Sequence, residues 1–210
     1  MHLKSLPLFI LNTVLYPEEV LPLHVFEPKY IALVEDCLAA NTPFGIVLTK
    51  DDKLEELGCT AQISKVISNK EGGEKDIVVS GLERFRIKEI FRVKPYLTAE
   101  IEPLIDVEPT SERVSVERVI AQHIKLLELA GRTPSPVMYQ EKNRLSFFIA
   151  HNAGLTVVQK QEVLELSGEG ERIQYLIDHL ERFIPAVEQA ESVRQKISSN
   201  GHFKDFPPEK

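Results

Sequence analysis

At 210 residues, 43% hydrophobic and 27% charged, the chain has the composition of an ordinary globular protein and the length of one large or two small domains. Its net charge of −7 argues against nucleic acid or anionic lipid as the main ligand, because phosphate binding needs a basic footprint. Pro7 breaks the N-terminal apolar stretch, no small-residue cleavage site follows, and no apolar run approaches the ~18–20 residues that span a bilayer, so a cytoplasmic protein is expected.

The first half reads as β. Leu6–Leu11 and Val20–Leu23 are apolar strands separated by a turn at Tyr16-Pro17. Glu27-Pro28 opens a helix in which Ile31, Val34 and Leu38 form one stripe, ended by Asn41-Thr42-Pro43. Phe44–Leu48 reads as a buried strand, and the charged stretch Lys50–Glu56 as a loop. Thr60–Ser68 alternates, and Asn69–Gly73 is a hairpin tip. Asp76–Ser80 returns as a strand, Gly81 interrupts it, and Phe85–Ile87 resumes, a strand–kink–strand pattern. Phe91–Val93 and Tyr96–Ile101 supply one or two more. Six to eight strands with Pro and Gly corners predict a bent barrel.

The second half is helical. After a joint at residues 103–109, Thr110 or Ser111 is expected to cap a helix with Val116, Val119, Ile120, Ile124 and Leu127 on one face. Thr133–Pro136 is a loop. A second helix carries Leu145, Phe148 and Ile149; Thr156 with Gln159 forms a capping box for a third, holding Val163, Leu164 and Leu166. Gly168 and Gly170 bracket a turn. The last helix carries Ile173, Leu176, Ile177, Leu180 and Ile184, and Pro185 should kink or end it. The expected organisation is a β subdomain over 1–109 with one internal helix, a helical subdomain over 110–197, and a disordered tail at 198–210.

Four segments, in order, resemble the N-terminal domain of Lon-type ATP-dependent proteases. They are Leu6–Phe26 with its two Leu-Pro-Leu triplets; Phe44–Leu48; Leu57–Ile63 followed by Val79–Ile87, with Gly81 and Arg84; and Lys160–Glu165 followed by Glu171-Arg172-Ile173. The resemblance implies an α+β fold, a PUA-like β pseudo-barrel followed by an α-helical bundle. It implies a non-catalytic module that binds polypeptide clients or partner proteins. A variant of that reading is a regulatory or assembly partner of an ATP-dependent protease. The family's Walker A loop and Ser–Lys dyad find no counterpart here, so no enzyme is expected, and the chain is read as ending before such modules fit.

Residue chemistry points the same way. No Gly-x-Ser-x-Gly elbow or His-Glu-x-x-His spacing occurs, so no catalytic, cofactor or metal residue is assigned. His24 and His123 read as partly buried structural groups. Cys37 and Cys59, without a CxxC spacing, read as reduced core thiols. A PUA-like fold also raises RNA binding, for which Arg84, Arg86, Lys88, Arg92 and Lys94 with Phe91 and Tyr96 are the best patch. Glu83, Glu89, Glu100 and Glu102 dilute it, so nucleic acid is disfavoured. For polypeptide capture in a groove between barrel and helical lobe, Tyr16, Phe26, Phe91 and Tyr96 are the candidate anchors.

Overall fold

The structure, a computed structural model, describes residues 5–51, 53–70, 72–106, 113–140 and 142–200, the last six as backbone only. The alternating runs form β1 (Leu6–Leu11), β2 (Val20–Val25), β3 (Phe44–Lys50), β4 (Lys53–Asn69), β5 (Lys75–Phe91) and β6 (Thr98–Pro103), in sheet order β2-β5-β4-β3-β1-β6. β1 and β3 run parallel, with Leu8 opposite Gly45; the other pairs are antiparallel. β6 pairs with both β1 and the second half of β5, so five strands close into a small barrel. β2 lies against the first half of β5 and, among the described residues, pairs on that side alone.

Period-two alternation sorts the side chains. Leu6, Leu8, Val47, Phe85, Ala99 and Ile101 fill one cluster. The Phe85 ring takes space that two glycines leave open. A Cβ on Gly45 would stand 2.6 Å from the ring and one on Gly58 2.8 Å from it. On the other face Phe9, Val25, Phe44, Ile46, Ile77 and Val79 pack with Tyr30, Leu33, Val34 and Cys37 of α1 (Pro28–Ala40). Both thiols are buried, and burial pushes Cys37 up to about 11 and Cys59 to about 12, as fits core groups.

The helical lobe contains α2 (Arg113–Leu129), a 3₁₀ turn (Pro136–Tyr139), α3 (Leu145–Asn152), α4 (Val157–Glu165) and α5 (Glu169–Asn200). The Thr156–Gln159 capping box is present. Ile173, Leu176, Ile177, Leu180 and Ile184 are all buried, in one cluster with Val119, Leu127, Phe147, Ile149, Val163 and Leu164. Val14, Tyr16 and Leu48 join that cluster from the barrel side.

Several expectations are corrected. The charged stretch after β3 is a tight hairpin, with Asp51 at φ 49° and Lys50 opposite Lys53; its charges sit on a strand that faces water. β5 runs on through Gly81 as one strand, and the kink read there takes the form of a register shift, with Gly81 and Arg84 opposite Ala61 and Cys59. Pro136 begins a 3₁₀ turn, capped by Ser135. Gly170 lies inside α5, and the helix passes through Pro185 to Asn200, including positions 198–200. Pro185 is exposed while Ile184 is buried and Val187 packs on the core, so the helix carries its proline on the face turned to solvent. The expected cap at Thr110 or Ser111 and the tail from 201 lie outside the described residues.

Two buried guanidiniums join the lobes. Arg84, on β5, donates to the carbonyls of Leu164 (2.6 Å) and Leu166 (2.8 Å) at the end of α4 and pairs with Asp106. Arg172, on α5, is fully buried; it pairs with Asp106 and Glu169 and donates to Ser146 Oγ (2.8 Å) and Leu166 O (3.0 Å). Its Cζ lies 4.3 Å from the Phe147 ring centroid. Burial works against the Asp106 carboxylate, yet the bonds and charges of Arg172 and Arg84 outweigh it and hold its pKa below the usual range.

Candidate functional site

The connection from β1 to β2 is fixed where it crosses β5. Glu18 N–H donates to Gly81 O (2.9 Å), and Gly81 N–H donates to Glu19 O (2.8 Å). A Cβ at Gly81 would stand 2.1 Å from the Tyr16 carbonyl oxygen, so this approach requires glycine. Glu18 takes a positive φ of 65° to make the turn. Glu19 then bonds in two directions: Oε2 accepts from Tyr16 N–H (2.9 Å), and Oε1 lies 2.7 Å from His151 Nδ1 at the end of α3.

Between this loop and α3 opens a cleft of about 280 Å³ at the junction of barrel and helical lobe. Pro17, Val20, Phe147 and Phe148 supply apolar walls. Glu18, Glu19, Lys142, Arg144 and His151 supply polar ones. Val20 is 59% exposed at the wall of this cleft. Arg144 is held by Leu82 O (2.9 Å) and Glu83 (2.6 Å), and Lys142 stands 4.7 Å above the Phe148 ring. A cleft with apolar walls and a few fixed polar groups suits an extended apolar segment.

The four proposed anchors do not assemble there. Tyr16 is 1% exposed: its ring stacks on Phe147 (5.1 Å) and its hydroxyl donates to Lys160 O (3.0 Å), so it joins the lobes from inside. Tyr96 is 3% exposed in the β5–β6 connection, bonded to Lys94 (2.9 Å) and to Asp36. Phe91 is half-buried at the end of β5. Phe26 alone lies open, 59% exposed beyond β2 and stacked on His24. The sequence reading missed Val20, Phe147 and Phe148. The available signal was β2 itself, apolar at consecutive positions and therefore on both faces.

The basic strand face that RNA would need is not formed. Arg84 is buried in the joint, Arg86 pairs with Glu56 and Lys88 with Glu102. His24, Asp76 and Ser68 lie in one row across β2, β5 and β4, but Ser68 Oγ donates to Asp76 (2.5 Å) and His24 Nδ1 reaches the same carboxylate (2.7 Å). Serine and imidazole thus share an acceptor and leave each other alone, which is no nucleophile–base pair. These bonds, with Lys70, pull Asp76 down to about 2. His24 is exposed and His123 fully buried, where both were expected to be partly buried. Among the described residues no three His, Cys, Asp or Glu side chains come together as a metal site, and no helix is long and apolar enough to cross a membrane.

Residues 5–182 match the family model of the ATP-dependent protease La (LON) substrate-binding domain. The chain belongs to that family. It is 30% identical to the Lon protease of Dictyoglomus thermophilum over 211 residues, covering 93% of this chain and 26% of that protein. With Lon protease 2 of Myxococcus xanthus it shares 30% identity, over 81% of this chain and 22% of the relative. The chain therefore spans about a quarter of the length of these relatives. A Lon N-terminal domain protein from Xanthomonas campestris has the same fold, with TM-score 0.67 at 23% identity, over 84% of this chain and 98% of that one. The N-terminal domain of the Mycobacterium avium complex Lon protease gives 0.63 at 22%, over 85% and 98%. These neighbours agree with the barrel-then-bundle architecture, and the Lon family model matched here describes a substrate-binding domain, not a catalytic module.

Proposed function

We propose that this Lon-family domain binds polypeptide in the cleft between its lobes and carries out no chemistry of its own. The observation that carries the reading is the exposed Val20 facing a cleft walled by Phe147 and Phe148, at the start of β2 and directly after the loop that Gly81 and Glu19 hold in place. Clients are unfolded or extended segments whose apolar side chains enter the cleft. The cytoplasm is the setting that goes with this reading.

The test compares retention of unfolded and native forms of the same client on immobilised protein. Unfolded clients should be retained preferentially, and Val20→Glu should weaken retention about tenfold with the melting temperature unchanged, because the side chain is exposed. Equal indifference to both forms, or peptide hydrolysis tracking the purified chain, would overturn the reading.

A second reading, association with an ATP-dependent protease or another complex, is favoured by the one-sided edge of β2 and the exposed Phe26 beside it. Pro22 in that strand lacks an N–H, which limits continuous strand addition and leaves side-chain docking as the mode. Co-purification that Phe26→Glu abolishes and Val20→Glu leaves intact would support it.

A further inference from the structure

A pocket of about 310 Å³ between the start of α1 and the β5–β6 connection carries charge opposite to that of the chain as a whole. Its charged lining residues are Lys29, Arg92 and Lys94, with no carboxylate among them. Lys29 and Lys94 have partners at the rim, Glu27 (2.9 Å) and Asp36 (2.7 Å). Arg92 is exposed and has no ion-pair partner among the described residues. The base is apolar and aromatic: Ile10 and Tyr30 line it, with the Tyr30 hydroxyl turned to the Ile10 backbone (3.1 and 3.2 Å).

We propose that this pocket binds an acidic, partly apolar peptide segment, with a carboxylate on Arg92 and a neighbouring apolar side chain against the base formed by Ile10 and Tyr30. A planar guanidinium meets a carboxylate through two parallel hydrogen bonds, and the apolar base adds contact that a bare anion does not use. Nucleic acid fits less well, since Lys29 and Lys94 are already paired with Glu27 and Asp36, which leaves Arg92 alone among the pocket's charged lining residues to meet a run of successive phosphates. The pocket shares no lining residue with the cleft, and the inference rests on the reading of the protein as a polypeptide binder while naming a ligand class for a separate surface.

The experiment measures fluorescence anisotropy of a labelled peptide of alternating Leu and Glu with the full chain, beside versions carrying Gln or Lys in place of Glu. The Glu peptide should bind about tenfold more tightly than the Gln version, and Arg92→Glu should erase that difference while Arg92→Lys keeps part of it. Val20→Glu should leave it unchanged. Equal binding of Glu and Gln peptides, insensitivity to Arg92→Glu, or displacement by inorganic phosphate or an oligonucleotide at comparable concentration would overturn the proposal. Loss with Val20→Glu alone would remove this pocket and keep the cleft; loss with Arg92→Glu alone would do the reverse.

Discussion

His123 shows how one buried side chain sets a pH limit. Its Nδ1 lies 2.8 Å from the Tyr139 hydroxyl, and Nε2 has no hydrogen-bond partner among the described residues. Burial, with a smaller push from Arg132, lowers its pKa from 6.5 to about 4. Between those values the unfolded chain binds the proton and the fold does not, so stability is fully present above pH 6.5 and is lost as pH falls toward 4. The loss amounts to about 3 kcal/mol. Chemical denaturation across this range should show that slope, and His123→Gln should flatten it. At this scale the sequence was only partly legible. The 3.6-residue stripe of α2 was plain, and His123 between Ile120 and Ile124 was placed as structural; its full burial depends on Tyr139 and Phe148, supplied by distant segments. Arg84 reads from the sequence as one member of a basic patch; its partners lie 22 and about 80 positions away, beyond any local pattern.

At the scale of elements, the β1–β2 loop and β5 act as one unit. Gly81→Ala would press a methyl group against the Tyr16 carbonyl, and because that contact is backbone the whole loop must move. The expected cost is about 3 kcal/mol, a fall in melting temperature of about 6–12 °C, with weakened client retention because Val20 moves with the loop. Unchanged melting with intact retention would show that the loop does not need this approach. Strand and helix existence was legible here because periods of two and 3.6 are local properties. The hairpin at Asp51 was hidden by charges that a water-facing strand carries as readily as a loop. Tyr16 and Tyr96 drop out as anchors for a related reason: alternation tells which side chains share a face, but not which face is covered, and these two point to covered ones.

For the molecule as a whole, the decisive seam is the joint around Asp106. Arg172→Met leaves Asp106 and Glu169 without their shared cation in a partly buried setting and should cost about 3 kcal/mol. Hydrogen exchange should quicken first at the end of α4 and around Ser146, with β3 and β4 still protected; uniform loss of protection would mean that the lobes do not separate at this seam. No sequence pattern announces such a seam, since its five participants come from β5, the β6–α2 connection, α3 and α5.

The Phe85 ring, seated where Gly45 and Gly58 have no side chains, ties three separate strands into one hereditary unit. A methyl gained at Gly45 is excluded while the phenyl remains, and a smaller residue at 85 leaves a hole until Gly45 gains bulk; at Gly58 the Ile46 carbonyl oxygen, 2.5 Å from the would-be Cβ, excludes a methyl whatever stands at 85. Drift at these sites is therefore concerted: Gly45→Ala should be ruinous in this background and tolerated after Phe85→Leu.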